Sequence, residues 1–182
     1  FKSKNLYNSA IYLFRQTLIK EEQWIFYKDF IKYFSGTDVY KDLPAQVAQQ
    51  TLRLVDKNIK AYIRSIKDWS KNRTKYTGKP SLPKYLDKEN GRFVYINPGQ
   101  SISRKEQTIT LLKKTFKFTT KIQPEYKINE VRIVPKLGYS KVEVVYQKPV
   151  QANDSKIETR YLGIDLGLDN LMSITNIDTN RP

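Results

Sequence analysis

The 182 residues include no cysteine and no histidine, a single methionine and only seven glycines. Without cysteine the chain can form no disulfide, no thiol nucleophile and no zinc ribbon. Without histidine it loses the usual general base and the commonest metal ligand. Any catalysis must then run on carboxylates, lysines, hydroxyls or a metal held by oxygen ligands. No apolar run approaches the roughly 20 residues of a membrane span, and no signal peptide is legible. A soluble, intracellular protein with no membrane partner is expected. Because residue 1 is Phe and not Met, an N-terminal piece is expected to be missing.

Positive charge is what the chain has in excess. Lys and Arg number 33 against 18 Asp and Glu, a net charge of +15. Such a surplus attracts a polyanion, because each cation placed on a phosphate releases a condensed counterion. Interleaved with those charges are 13 Tyr, 8 Phe and 2 Trp, the composition of a nucleic-acid binder.

Hydrophobic periodicity predicts helices over the first 70 residues. In "NLYNSAIYLFRQTLI" the stripe is Leu6, Ala10, Leu13, Phe14, Thr17 and Leu18. A shorter helix, "QWIFYKDFIKYFSG", ends at Gly36, a natural terminator. The third starts at Pro44, which suits a first turn, and carries Ala48, Leu52, Val55, Ile59, Tyr62, Ile66 and Trp69 in steps of four and three. Phe14, Leu52, Tyr62 and Trp69 are expected in the core. From Lys71 to Arg92 the chain holds seven Lys or Arg, two Pro and two Gly, which excludes a long helix and reads as a basic connecting segment. Period-two strands follow in "RFVYIN", "QTITLL", "TFKFTT", "EVRIV" and "KVEVVYQ", with hairpin chemistry at Pro135 to Gly138. The fold class is thus α+β, with a helical region over 1–75 and a small antiparallel β-barrel of the oligonucleotide-binding kind over 76–155. "QANDSKIE" reads as a linker, and residues 156–182 begin something different.

That last part holds "YLGIDLG", where alternation puts Gly163, Asp165 and Gly167 on one strand face. Small neighbours beside a carboxylate leave room for a metal ion and a phosphate. Two-metal phosphodiester hydrolysis needs several converging carboxylates, so Asp165 supplies one corner of such a site. Asp169 and Asn170 suit a tight turn.

"GIDLGLDNLMSI", preceded by "NLYNSAIYLFRQ", "LPAQVAQQTLRLVDKNIKAYIRSIKDW" and "GKPSLPKY" in that order, resembles the TnpB-type (OrfB) transposon-encoded proteins. These are RNA-guided nucleases related to type V CRISPR effectors. The resemblance spans nearly the whole chain. It implies a helical recognition lobe, a wedge barrel, and then the first β-hairpin of an RNase H-like RuvC domain. It implies that Asp165 is the first catalytic aspartate and a magnesium ligand, with two later acidic residues completing the site. It also implies guide RNA and double-stranded target DNA as partners, and a cytoplasmic, nucleoid-associated location. The sequence departs from the family pattern by lacking the opening wedge strand, the bridging helices, both later acidic motifs and the zinc-ribbon cysteines. A fragment, the ordered part of a nuclease or a decayed gene would each account for this, and the segment is expected to be inactive by itself. The alternative is a nuclease-dead, RNA-guided repressor or another non-enzymatic binding module. "GIDLG" also opens actin-like ATPases, but Leu168, Asp169 and Asn170 offer no hydroxyl to a nucleotide phosphate.

Two surfaces are expected to bind nucleic acid. Gln46, Gln49, Gln50 and Arg53 stand within two helical turns, and Gln and Arg make bidentate contacts to adenine and guanine edges. The family reads its target-flanking duplex with this lobe, and Tyr27 resembles an aromatic used nearby. The second surface is the basic segment, where Lys79, Lys84, Lys88 and Arg92 suit phosphate contacts and Tyr76 and Tyr85 suit stacking.

Overall fold

The computed structural model describes residues 1–111 and 116–149, together with the strands Leu162–Asp165 and Ser173–Asn176. The chain divides into two compact units, Phe1–Lys148 and Pro149–Pro182. The fold class is α+β, as the periodicities predict.

Four helices open the first unit: α1 (Lys2–Glu21), α2 (Tyr27–Phe34), α3 (Asp38–Lys41) and α4 (Ala45–Lys71). Glu22, in the left-handed conformation at φ 54°, ends α1. Leu6, Ala10, Ile11 and Phe14 of α1 pack with Phe30 and Phe34 of α2 and Val47, Leu52, Val55 and Ile59 of α4. This core is apolar on helical spacing, so burial drives the association and fixes which helix faces meet. It stops at Ile59. Tyr62 and Trp69, expected in the core, are only half-buried. Tyr62 instead stacks on Trp24 with centroids 6.5 Å apart.

The strands β1 (Tyr95–Pro98), β2 (Ser103–Lys105), β3 (Thr108–Leu111), β4 (Phe116–Thr119), β5 (Lys127–Pro135) and β6 (Ser140–Gln147) follow. The expected closed barrel is not what they form. They make two three-stranded antiparallel sheets, ordered β1-β5-β6 and β2-β3-β4. Ile109 and Leu111 of β3 share a small core with Val131 of β5, so the sheets meet through their apolar faces. The chain passes between the sheets at the corner after β1. There a 3-10 turn, Gly99–Ser101, carries the chain from one sheet to the other. Gly99 sits against the irregularity in β5 between Ile128 and Glu130. A Cβ at Gly99 would lie 2.4 Å from the Ile128 carbonyl oxygen, so only glycine permits this approach. Buried Asn97 secures the corner by donating to the Ser101 carbonyl at 3.1 Å. The β5–β6 hairpin expected at Pro135–Gly138 is present, with Gly138 at φ 78° where L residues are strained.

In the second unit, β7 (Leu162–Asp165) pairs antiparallel with β8 (Ser173–Asn176), Asp165 opposite Ser173. The linker 151–158 and the turn at Asp169 and Asn170 lie outside the described residues. Among the described residues, no helix is long and apolar enough to cross a membrane.

Candidate nucleic-acid interface

The first group of side chains stands where α2 meets α4. Positions 46, 49, 50 and 53 share one face of α4 by helical spacing. Gln46, Gln49 and Gln50 are half-buried, and Arg53 is exposed. The guanidinium of Arg53 lies 4.4 Å from the centroid of the Tyr27 ring. Such stacking orients the cation, and among the described residues no carboxylate pairs with it, which leaves its charge for a ligand. Tyr27 is itself fixed by Asp56, which is buried on α4. One Asp56 oxygen accepts the Tyr27 backbone N–H at 3.1 Å, and the other pairs with Lys60 at 2.7 Å. The carboxylate thereby satisfies an N–H in the first turn of α2, where the helix has no internal acceptor. Tyr27 and Arg53, taken from separate helices in the sequence, are thus brought into contact by a buried aspartate.

A second group closes the end of α4. Trp69 has the Arg73 guanidinium 5.0 Å and the Lys79 ammonium 5.8 Å from its ring centroid. Its partly exposed indole therefore supports two cations. Beside it, Asp68 accepts the Tyr76 hydroxyl at 2.6 Å, the Lys75 ammonium at 2.9 Å and the Asn72 amide at 3.2 Å. The hydrogen bond from Tyr76, followed by those from Lys75 and Asn72, pulls the Asp68 carboxyl down to about 2. The same bond pushes the Tyr76 hydroxyl up. Tyr76, expected to stack on a ligand, has its hydroxyl committed to folding the basic segment back onto the helix.

The third group is a strap. From Pro83 to Lys88 the chain runs along α1, and polar side chains of α1 hold its backbone. Arg15 donates to the Pro83 carbonyl at 2.8 Å, Tyr7 to that of Lys84 at 3.4 Å, and Lys4 to that of Lys88. Asn8 makes two bonds with Leu86, donating to its carbonyl and accepting its N–H, each at 2.9 Å. An extended segment that opens on a proline cannot satisfy its own backbone, and α1 supplies the missing partners. Leu82 and Leu86 pack on the helical core, while Lys84, Tyr85 and Lys88 are exposed. The Arg15 guanidinium lies 4.9 Å from the Tyr85 ring centroid. Arg92 stands apart, 3.4 Å from the Phe1 ring centroid, and borders a cavity of about 410 Å³ at the β5–β6 turn.

Lys4, Asn8 and Arg15 were not singled out by sequence reasoning. Their spacing places them on one face of α1, yet that signal is indistinguishable from an ordinary solvated face until the strap is seen. Arg104 of β2 is a similar case, since it gathers the carbonyls of Glu106, Ile122 and Tyr126. Asp165 belongs to β7, in the separate unit. Carboxylates are hard oxygen ligands suited to magnesium, but among the described residues no three Asp, Glu, His or Cys side chains converge. No protein-family model matches this chain, and no curated protein matches it.

Proposed function

We propose that the chain is the nucleic-acid-binding portion of a TnpB-like RNA-guided DNA endonuclease. In this reading the helical region meets target-flanking duplex through Gln46, Gln49, Gln50 and Arg53, and the basic connecting segment meets guide RNA through Lys79, Lys84, Lys88 and Arg92. The observation that carries the reading is the Arg53–Tyr27 stack beside the three glutamines. It supplies a stacked guanidinium, unpaired with any carboxylate among the described residues, and adjacent amides, the donor and acceptor set that reads base edges in a major groove. The +15 charge and the ordered motifs quoted above support the same reading. Asp165 is assigned as one of several magnesium-binding carboxylates of the intact nuclease, with the others supplied from outside the described residues.

Salt titration of RNA and duplex DNA affinity tests the binding role. Log affinity should fall linearly with log salt, and alanine at Lys79, Lys84, Lys88 or Arg92 should each flatten the slope by about one unit. A slope unchanged in all four variants would place the polyanion elsewhere. For the assignment of Asp165, the intact nuclease carrying Asp165→Ala should lose cleavage and keep guide and target binding. Removing one metal ligand leaves the ions unable to clamp the scissile phosphate. Cleavage that survives this change would remove Asp165 from the site.

A further inference from the structure

Tyr12 of α1 and Tyr33 of α2 are each 58% exposed, and Tyr85 of the strap is 44% exposed. All three border one cleft of about 450 Å³. A single exposed tyrosine is ordinary, but three around one opening leave a concentrated apolar surface in water. Leu13 and Phe34 also line the cleft, as do Asn8 and Ser9. Two of the rings are held in place before any ligand arrives. Tyr33 meets Phe34 edge-on with centroids 5.0 Å apart, and Tyr85 lies under the Arg15 guanidinium at 4.9 Å. The lining itself carries no ionised side chain. Positive charge instead stands at its strap edge, on Arg15 and on exposed Lys84.

We propose that this cleft binds an unpaired nucleobase of a single strand, stacked on the tyrosine rings with its phosphates toward Arg15 and Lys84. The inference rests on the polynucleotide-binding reading above and adds a strand type and a site. An uncharged aromatic lining complements the π faces of a base, while cations at the rim complement the backbone. Bases in a duplex already stack on their neighbours and have no free face to offer. The cleft therefore discriminates single strands from duplexes, which a basic surface alone does not do.

Fluorescence anisotropy with the full chain tests this, using oligouridylate, the same strand with abasic positions, and a duplex of equal length. Tyr12→Ala and Tyr33→Ala should each weaken oligouridylate binding by about fivefold or more and leave the salt slope, duplex and abasic affinities unchanged. Tyr33→Phe should keep wild-type affinity, because stacking needs the ring and not the hydroxyl. Both positions are exposed, and matching circular dichroism checks that the variants fold. Equal losses on all three probes, or none on any, would overturn the proposal. So would a proline-rich peptide that binds the wild type but not the tyrosine variants and displaces no oligonucleotide. If the tyrosine variants bind as wild type while Lys84→Ala flattens the salt slope, the cleft assignment falls and the polynucleotide reading stands. If the wild type binds none of the probes, both fall.

Discussion

At the scale of single residues, Tyr95 shows how one hydroxyl can work against the fold around it. Its ring packs on the helical core, while its hydroxyl is buried with no partner among the described residues. Burial pushes the phenol up to about 12, because the phenolate would lose its hydration. An acid whose folded pKa is raised contributes stability below its unfolded value, and that contribution is lost as pH climbs through the folded value. The window therefore runs from about 10, the ordinary tyrosine value, to about 12. Tyr95→Phe should raise stability at neutral pH by about 1 kcal/mol, since it removes an unsatisfied polar group and keeps the ring. It should also make alkaline unfolding shallower over that window. Urea titrations of both proteins at neutral and alkaline pH measure the two effects. A variant less stable than wild type would mean that the hydroxyl has a partner.

At the scale of elements, the strap behaves as part of α1 and not as a loop. Its carbonyls bond to side chains spaced along one helix face, so helix and strap stand or fall together at this edge. Asn8 matters most, because its amide replaces both halves of a backbone pair with Leu86. Asn8→Ala should cost about 1–3 kcal/mol through the two orphaned backbone groups. Trypsin should then cut after Lys84 and Lys88 faster than in the wild type. Unchanged cleavage would show that Leu82 and Leu86 hold the strap without the hydrogen bonds. Gly99 acts at the same scale, because it turns the corner between the two sheets where a Cβ would meet the Ile128 carbonyl.

At the scale of the molecule, the helices and sheets of residues 1–148 share one compact unit. Phe93 and Tyr95, at the entrance to the sheets, pack on the helical core, and Tyr7 stacks on Phe93 at 4.5 Å. Two layers joined by apolar contact should unfold in one transition. Leu52→Ala, at a fully buried position in α4, should lower stability by about 2–5 kcal/mol. The midpoints by far-UV circular dichroism and by tyrosine fluorescence should shift together. Separated midpoints would show that the sheets fold without the helices.

Local chemistry alone determined a good deal of this. The helices over the first 70 residues, the end at Gly36 and the β5–β6 hairpin follow from spacing and turn residues, which act within a few positions. The +15 charge and the positions of the basic side chains are likewise properties of the chain as written. Only the tertiary structure decided where the core ends, because Tyr62 and Trp69 continue the apolar stripe of α4 beyond Ile59 yet are only half-buried. It alone showed two sheets in place of the expected barrel, since strand pairing joins positions some 30 residues apart that local spacing does not register. It also brought Arg53 onto Tyr27 and laid the strap along Lys4, Asn8 and Arg15. Those side chains look like solvated surface in the sequence, because periodicity records which face a residue occupies and not what will lie against it.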